Sequence, residues 1–74
     1  MLNIAVIGAG RIGHVHAKTI ASHPDAKLAL IADPFGDAAE KLAAEYGAAH
    51  TKDIDSVFTD EGVDAVVIGS PTPL

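Results

Sequence analysis

No cysteine occurs among the 74 residues, which excludes disulfides, thiolate nucleophiles and thiolate metal sites and leaves the redox compartment open. Basic residues are scarce as well. Arg11, Lys18, Lys27, Lys41 and Lys52 are the only five, scattered along the chain against ten acids, for a formal net charge of −5. That balance speaks against partners such as nucleic acid or an anionic membrane surface, both of which need clustered Lys and Arg. Long apolar runs are also lacking. Ile4 to Ile7 is too short for the core of a signal peptide, has no basic residue before it and is broken by Gly8; nothing approaches a membrane span. A cytoplasmic location is the resulting expectation.

What the chain does have is 49% hydrophobic residues, too many for disorder, and seven glycines. Three of these stand in Ile4-Ala5-Val6-Ile7-Gly8-Ala9-Gly10-Arg11-Ile12-Gly13, where a β-branched run turns through glycines into helix-forming sequence. Asp33 follows about 20 residues after Gly13, the usual offset for an acid that binds a ribose hydroxyl. The pattern reads as a dinucleotide-binding βαβ unit. Gly8 lets the chain turn tightly off a strand, Gly10 lets the backbone approach a pyrophosphate, and Gly13 lets the helix lie close to the strand, with room for no side chain beyond a methyl. The unpaired N–H groups and positive dipole end of that helix attract phosphate without a lysine. The glycine-rich turn of methyltransferases is the nearest mimic, but it places its third glycine where Ile12 stands.

Hydrophobic patterning places the rest. Leu2 to Ile7, Lys27 to Ala32, Ala48 to His50 and Asp64 to Ile68 read as strands, the first and last apolar enough for burial on both faces. Between them lie a helix over Arg11–Ser22, with Ile12, Val15, Thr19 and Ile20 at helical spacing, and a second running to Tyr46. Asp37 and Glu40 fit a capping box for the second helix, and Gly47 its left-handed C-terminal cap. Asp53 to Thr59 reads as a helical turn capped by Asp53. Right-handed crossovers then give an α/β fold: a Rossmann-type doubly wound parallel sheet, N-terminal half only, with strand order 3-2-1-4. The glycine turn and Ser70-Pro71-Thr72 would form opposite lips of one crevice at its switch point. A complete domain of this kind takes more than about a hundred residues, so residues 1–74 are expected to be part of one, with any substrate domain outside this chain.

These residues resemble the glucose-fructose oxidoreductase and inositol dehydrogenase family, Gfo/Idh/MocA, across essentially the whole chain. Ala5 to Gly13 followed by His16-Ala17, then Ile31-Ala32-Asp33-Pro34, then Val67-Ile68-Gly69-Ser70-Pro71-Thr72, look like the family's N-terminal part in order and spacing, nearest to its inositol-dehydrogenase members. The resemblance implies an enzyme that passes hydride from a secondary alcohol of a cyclitol or sugar to NAD. It further implies a C-terminal α/β domain carrying substrate contacts and the interfaces of a homo-oligomer. The family's Glu-Lys-Pro motif, whose lysine serves the substrate hydroxyl, has no match here, so no catalytic residue is assigned.

The cofactor-binding candidates are therefore Gly8, Gly10, Arg11, Ile12, Gly13, Asp33, Ser70, Pro71 and Thr72. Arg11 could lie along a phosphate, and Ile12 would act through backbone position and core packing. Asp33 would accept from ribose hydroxyls, and Pro34, Phe35 and Gly36 supply no cation for a 2′-phosphate. Ser70 lacks a base partner in this chain and with Thr72 lines the crevice. His14 and His16, two apart, cannot chelate together; His16 reads as a packing residue, and His23 and His50 as boundary or surface residues. Asp53, Asp55, Asp60, Glu61 and Asp64 fit caps and a solvated face, with no metal. Two other functions share the pattern: an amino-acid-pathway reductase of dihydrodipicolinate or homoserine type, and an NAD-sensing module without chemistry. With one short helix for the second sheet face, strands one and four would show apolar side chains to water, making the chain alone marginally stable or prone to self-association.

Overall fold

The computed structural model describes residues 1–69, which run β1 (Leu2–Ile7), α1 (Arg11–Ser22), β2 (Ala26–Ala32), α2 (Gly36–Tyr46), β3 (Ala49–Thr51), α3 (Asp55–Thr59) and β4 (Ala65–Ile68). The strands form one parallel sheet in the order β3-β2-β1-β4, a Rossmann-like α/β fold. Ser70, Pro71 and Thr72 lie outside the described residues.

One irregularity decides which side chains reach which face. Ile4 pairs with Leu28 but Ala5 pairs with Leu30, so Ala29 is an extra residue on β2. This bulge reverses the strand's alternation. Leu28 and Ile31 join Val6 under α1 and α2, while Leu30 and Ala32 join Ala5 and Ile7 on the opposite face. Without it, Leu28 and Leu30 would share a side.

The inward face of α1 is not the one that its larger side chains mark. Gly13, Ala17 and Ile20 are buried, whereas Ile12 and Val15 are 45% and 58% exposed, so Ile12 does not pack in the core. Small residues four apart let the helix approach the sheet, and a branched side chain at either position would hold it off. The start of α2 also differs from the capping-box expectation. Phe35 occupies the N-cap without a side-chain cap, and Asp37 lies inside the first turn, where it favours the helix through the dipole. The cause is upstream: an Asp33 carboxylate oxygen accepts the Phe35 N–H at 2.7 Å and turns the chain before Asp37 is reached. At the other end Gly47 is left-handed, at φ 71°, and its N–H returns to the Ala43 carbonyl.

Across the sheet, Val57 of α3 is buried with Ala5, Ile7, Leu30 and Ala32, and Ile54, Val63 and Val66 pack around them. The carboxyl half of β1, Ala5 to Ile7, is thus covered on both faces, contrary to the expectation that its side chains meet water, because the turns flanking α3 extend its reach, while Leu2 at its start is exposed. The expectation holds for β4, where Ile68 is 65% exposed. The acids near α3 serve the backbone. Asp53 accepts the Asp55 N–H, Asp60 the Gly62 N–H, and Asp64 the Asn3 N–H, tying the start of β4 to β1.

Gly47→Ala puts a Cβ into a left-handed conformation while meeting no neighbour. It should lower stability by about 1 kcal/mol in urea unfolding, a purely conformational cost.

Candidate functional site

At the carboxyl end of β1 the chain turns through Gly8, whose φ of 106° is closed to ordinary L-residues. Two successive N–H groups of this turn are tied to the end of β2: that of Gly8 to the Ala32 carbonyl, and that of Ala9 to Asp33 Oδ2, both at 2.7 Å. Gly10 is the N-cap of α1, and the first N–H to find a helical acceptor is that of His14, bonding Gly10 at 2.9 Å. The N–H groups of Arg11, Ile12 and Gly13 precede that bond and have no partner within the helix. No side chain caps them and the first turn carries no acid.

Each glycine has its own physical reason. A Cβ on Gly13 would overlap the Gly8 carbonyl oxygen, so the limit is tighter than the sequence suggests and even a methyl does not fit. A Cβ on Gly10 would meet nothing within 4 Å and its backbone is extended, so no contact within the described residues requires glycine there and the space before the helix is open. Gly69, at the end of β4, donates its N–H to the Ile7 carbonyl at 2.7 Å; a Cβ there would lie 3.3 Å from Gly13 Cα, Gly13 N and His16 Cδ2. The start of α1 is therefore wedged between two strand ends. His16 is half-buried and packs on Gly69, while His14 is exposed.

Gly8, Gly10, Arg11, Ile12, Gly13 and Asp33 thus converge on one end of the sheet. Arg11 is exposed at the mouth of the helix. Ser70, Pro71 and Thr72 follow Gly69 directly in sequence but lie outside the described residues. Ala9, which acts through its backbone, is not singled out by the sequence; Gly69, which stands out there only within a family segment, proves to be a wall against Gly13; and the aliphatic stem of Lys52 packs on Gly36, three residues after Asp33. Among the described residues no group of three or more His, Asp or Glu could hold a metal ion. A depression of about 280 Å³ lies at the opposite ends of the strands, beside Met1, Lys27 and Tyr46. It gathers none of the groups above.

An open, uncapped helix mouth fronted by two glycines and flanked by a buried acid fits a diphosphate joined to a ribose. Comparison with known proteins agrees. Residues 2–74 match the model of the Gfo/Idh/MocA oxidoreductase family, NAD-binding Rossmann fold, and the chain belongs to that family. It is 44% identical over 71 residues to an inositol 2-dehydrogenase of Rhizobium meliloti, covering 96% of this chain and 21% of that protein. A solved myo-inositol dehydrogenase from Corynebacterium glutamicum superposes with a TM-score of 0.90 at 52% identity, over 96% of this chain and 21% of its own. One from Lactobacillus casei, in complex with NAD(H) and myo-inositol, gives 0.89 at 26% identity over 96% and 22%. The chain thus spans about a fifth of the length of the relatives it matches. No helix among the described residues is long and apolar enough to cross a membrane.

The glycines separate by experiment. Gly13→Ala should cost about 1–3 kcal/mol in urea unfolding through overpacking, and Gly10→Ala less than about 1 kcal/mol. Equal costs would contradict the close approach of α1 to Gly8.

Proposed function

We propose that residues 1–74 form the N-terminal, NAD-binding part of a dehydrogenase that oxidises a secondary alcohol of a cyclitol, with inositol the leading candidate. The observation that carries this reading is the uncapped N-terminus of α1 held between Gly8 and Gly69, with Asp33 at the adjacent strand end. In it, the N–H groups of Arg11, Ile12 and Gly13 face the cofactor's diphosphate across the space that Gly10 leaves open. Asp33 accepts from the adenosine ribose hydroxyls through its remaining lone pairs, and Ser70, Pro71 and Thr72 line the other lip. When bound, NAD supplies the hydride acceptor. The chain's own part is to bind and orient it; the base that takes the alcohol proton and the substrate pocket belong to a longer protein, read as a homo-oligomer.

The cyclitol assignment is supported by the 44% and 52% identities to two inositol dehydrogenases. Since NAD is an intracellular cofactor, the same reading places the protein in the cytoplasm. The exposed apolar side chains Ile68 and Phe58 fit surfaces covered by further chain or by another copy.

Two outcomes test this. The full-length protein should use NAD in preference to NADP, because a 2′-phosphate would be set against the Asp33 carboxylate, and Asp33→Ser with Pro34→Arg should shift preference toward NADP. Equal or better kcat/KM with NADP for the unsubstituted protein would defeat the assignment. With myo-inositol and NAD, full-length protein should produce NADH absorbance, and the 74 residues alone should produce none.

A further inference from the structure

Asp33 is the one buried acid among the described residues, only 9% exposed, and both of its carboxylate oxygens are engaged by backbone donors. Oδ2 accepts the Ala9 N–H and Oδ1 the Phe35 N–H, each at 2.7 Å. The donors belong to different parts of the site: Ala9 is the middle residue of the glycine turn, and Phe35 is the N-cap of α2. The paired register of β1 and β2 ends at Ile7 and Ala32, and the Gly8 N–H adds one bond to the Ala32 carbonyl. The next donor along, Ala9 N–H, takes the Asp33 side chain. Asp33 thus prolongs the β1–β2 ladder past the end of the strands and into the turn.

We propose that Asp33 is a positioning residue for the phosphate site: its carboxylate fixes the Gly8-Ala9-Gly10 turn before a nucleotide arrives, and so supports diphosphate binding independently of any ribose contact. This rests on the reading of the glycine turn as the cofactor's diphosphate site and extends it. A turn with two glycines has little conformational preference of its own, and ordering it on binding would cost affinity. A short hydrogen bond to a buried carboxylate removes that cost in advance. An amide cannot substitute. Asparagine offers a single oxygen to two N–H donors, so its NH₂ must confront one of them.

Amide hydrogen exchange on the ligand-free protein tests the positioning directly. The Ala9 N–H should be protected, and Asp33→Asn should speed its exchange or that of Phe35 by about tenfold, the loss of one charged hydrogen bond, while the Leu42 amide in the core stays unchanged. An unprotected Ala9 amide in the unsubstituted protein overturns the proposal whether or not the variant folds. Calorimetric titration with ADP and with 2′,3′-dideoxyadenosine diphosphate then separates turn from ribose. Asp33→Asn should weaken the dideoxy nucleotide, which has the diphosphate but no ribose hydroxyls, by about fivefold or more. If the variant loses affinity for ADP alone, Asp33 acts through the ribose and the positioning role falls. If neither nucleotide binds the unsubstituted protein, the reading of the site as a nucleotide site fails, and the exchange measurement still decides what Asp33 does to the turn.

Discussion

The structure turns on a backbone-to-backbone contact: the first turn of α1 lies against the Gly8 carbonyl with no room for a side chain at Gly13. From that contact follow the burial of Gly13 and Ala17 and the exposure of Ile12 and Val15. Gly69 presses on Gly13 from the end of β4, so the helix start is held from two sides by strands whose positions the sheet already fixes. The direction of three backbone N–H groups is therefore set by two strand ends of the sheet. That is what an anion site built without lysine requires, because its donors cannot follow the ligand as a flexible side chain would.

Electrostatics support the same conclusion. Asp37 and Asp55 stand in the first turns of α2 and α3, where a carboxylate stabilises a helix by about 0.3–1 kcal/mol, but α1 has neither an acid nor a side-chain cap there. In a chain with a net charge of −5, a helix mouth free of acids is a local exception. α1 forgoes the stabilisation that its neighbours take and leaves its dipole to act on what comes from outside. An unfilled helix mouth of this kind is what the proposed diphosphate site requires.

The strand order, the helices and the convergence of Gly8, Gly10, Gly13 and Asp33 were legible because each rests on short-range features: apolar runs, a glycine spacing, and an acid at the end of the next strand. The misreadings share a cause in specific packing and hydrogen-bond contacts that residue patterns do not display. Ile12 and Val15 look like a core stripe, yet the close approach to Gly8 rotates the helix so that the smaller residues face inward. Asp37 and Glu40 have capping-box spacing, but Asp33 begins the turn first by taking the Phe35 N–H. Burial of β1 beneath α3 depends on Ile54 and Val63, flanking residues that a five-residue helix does not advertise. The β2 bulge at Ala29 is invisible in Ala26–Ala32, since the strand is apolar from Leu28 onward and so satisfies either register. Lys52 reaches Gly36 only because β3 lies beside β2.

Position in the fold also separates binding from chemistry. The described groups proposed to meet a diphosphate and ribose come from the turn after β1, the start of α1 and the end of β2, all within the first 33 residues, and the turn and the strand end are hydrogen-bonded to each other. β4 enters this set through Gly69, which follows it as a wall against Gly13, while Val66 and Val67 pack into the two cores and Ile68 is exposed. The turn and the strand end that carry the proposed nucleotide site are thus tied to each other by short hydrogen bonds. In the proposed reading a cofactor is anchored at its adenosine diphosphate by these tied elements. Relatives with the same N-terminal architecture can therefore differ in substrate without disturbing the glycine turn.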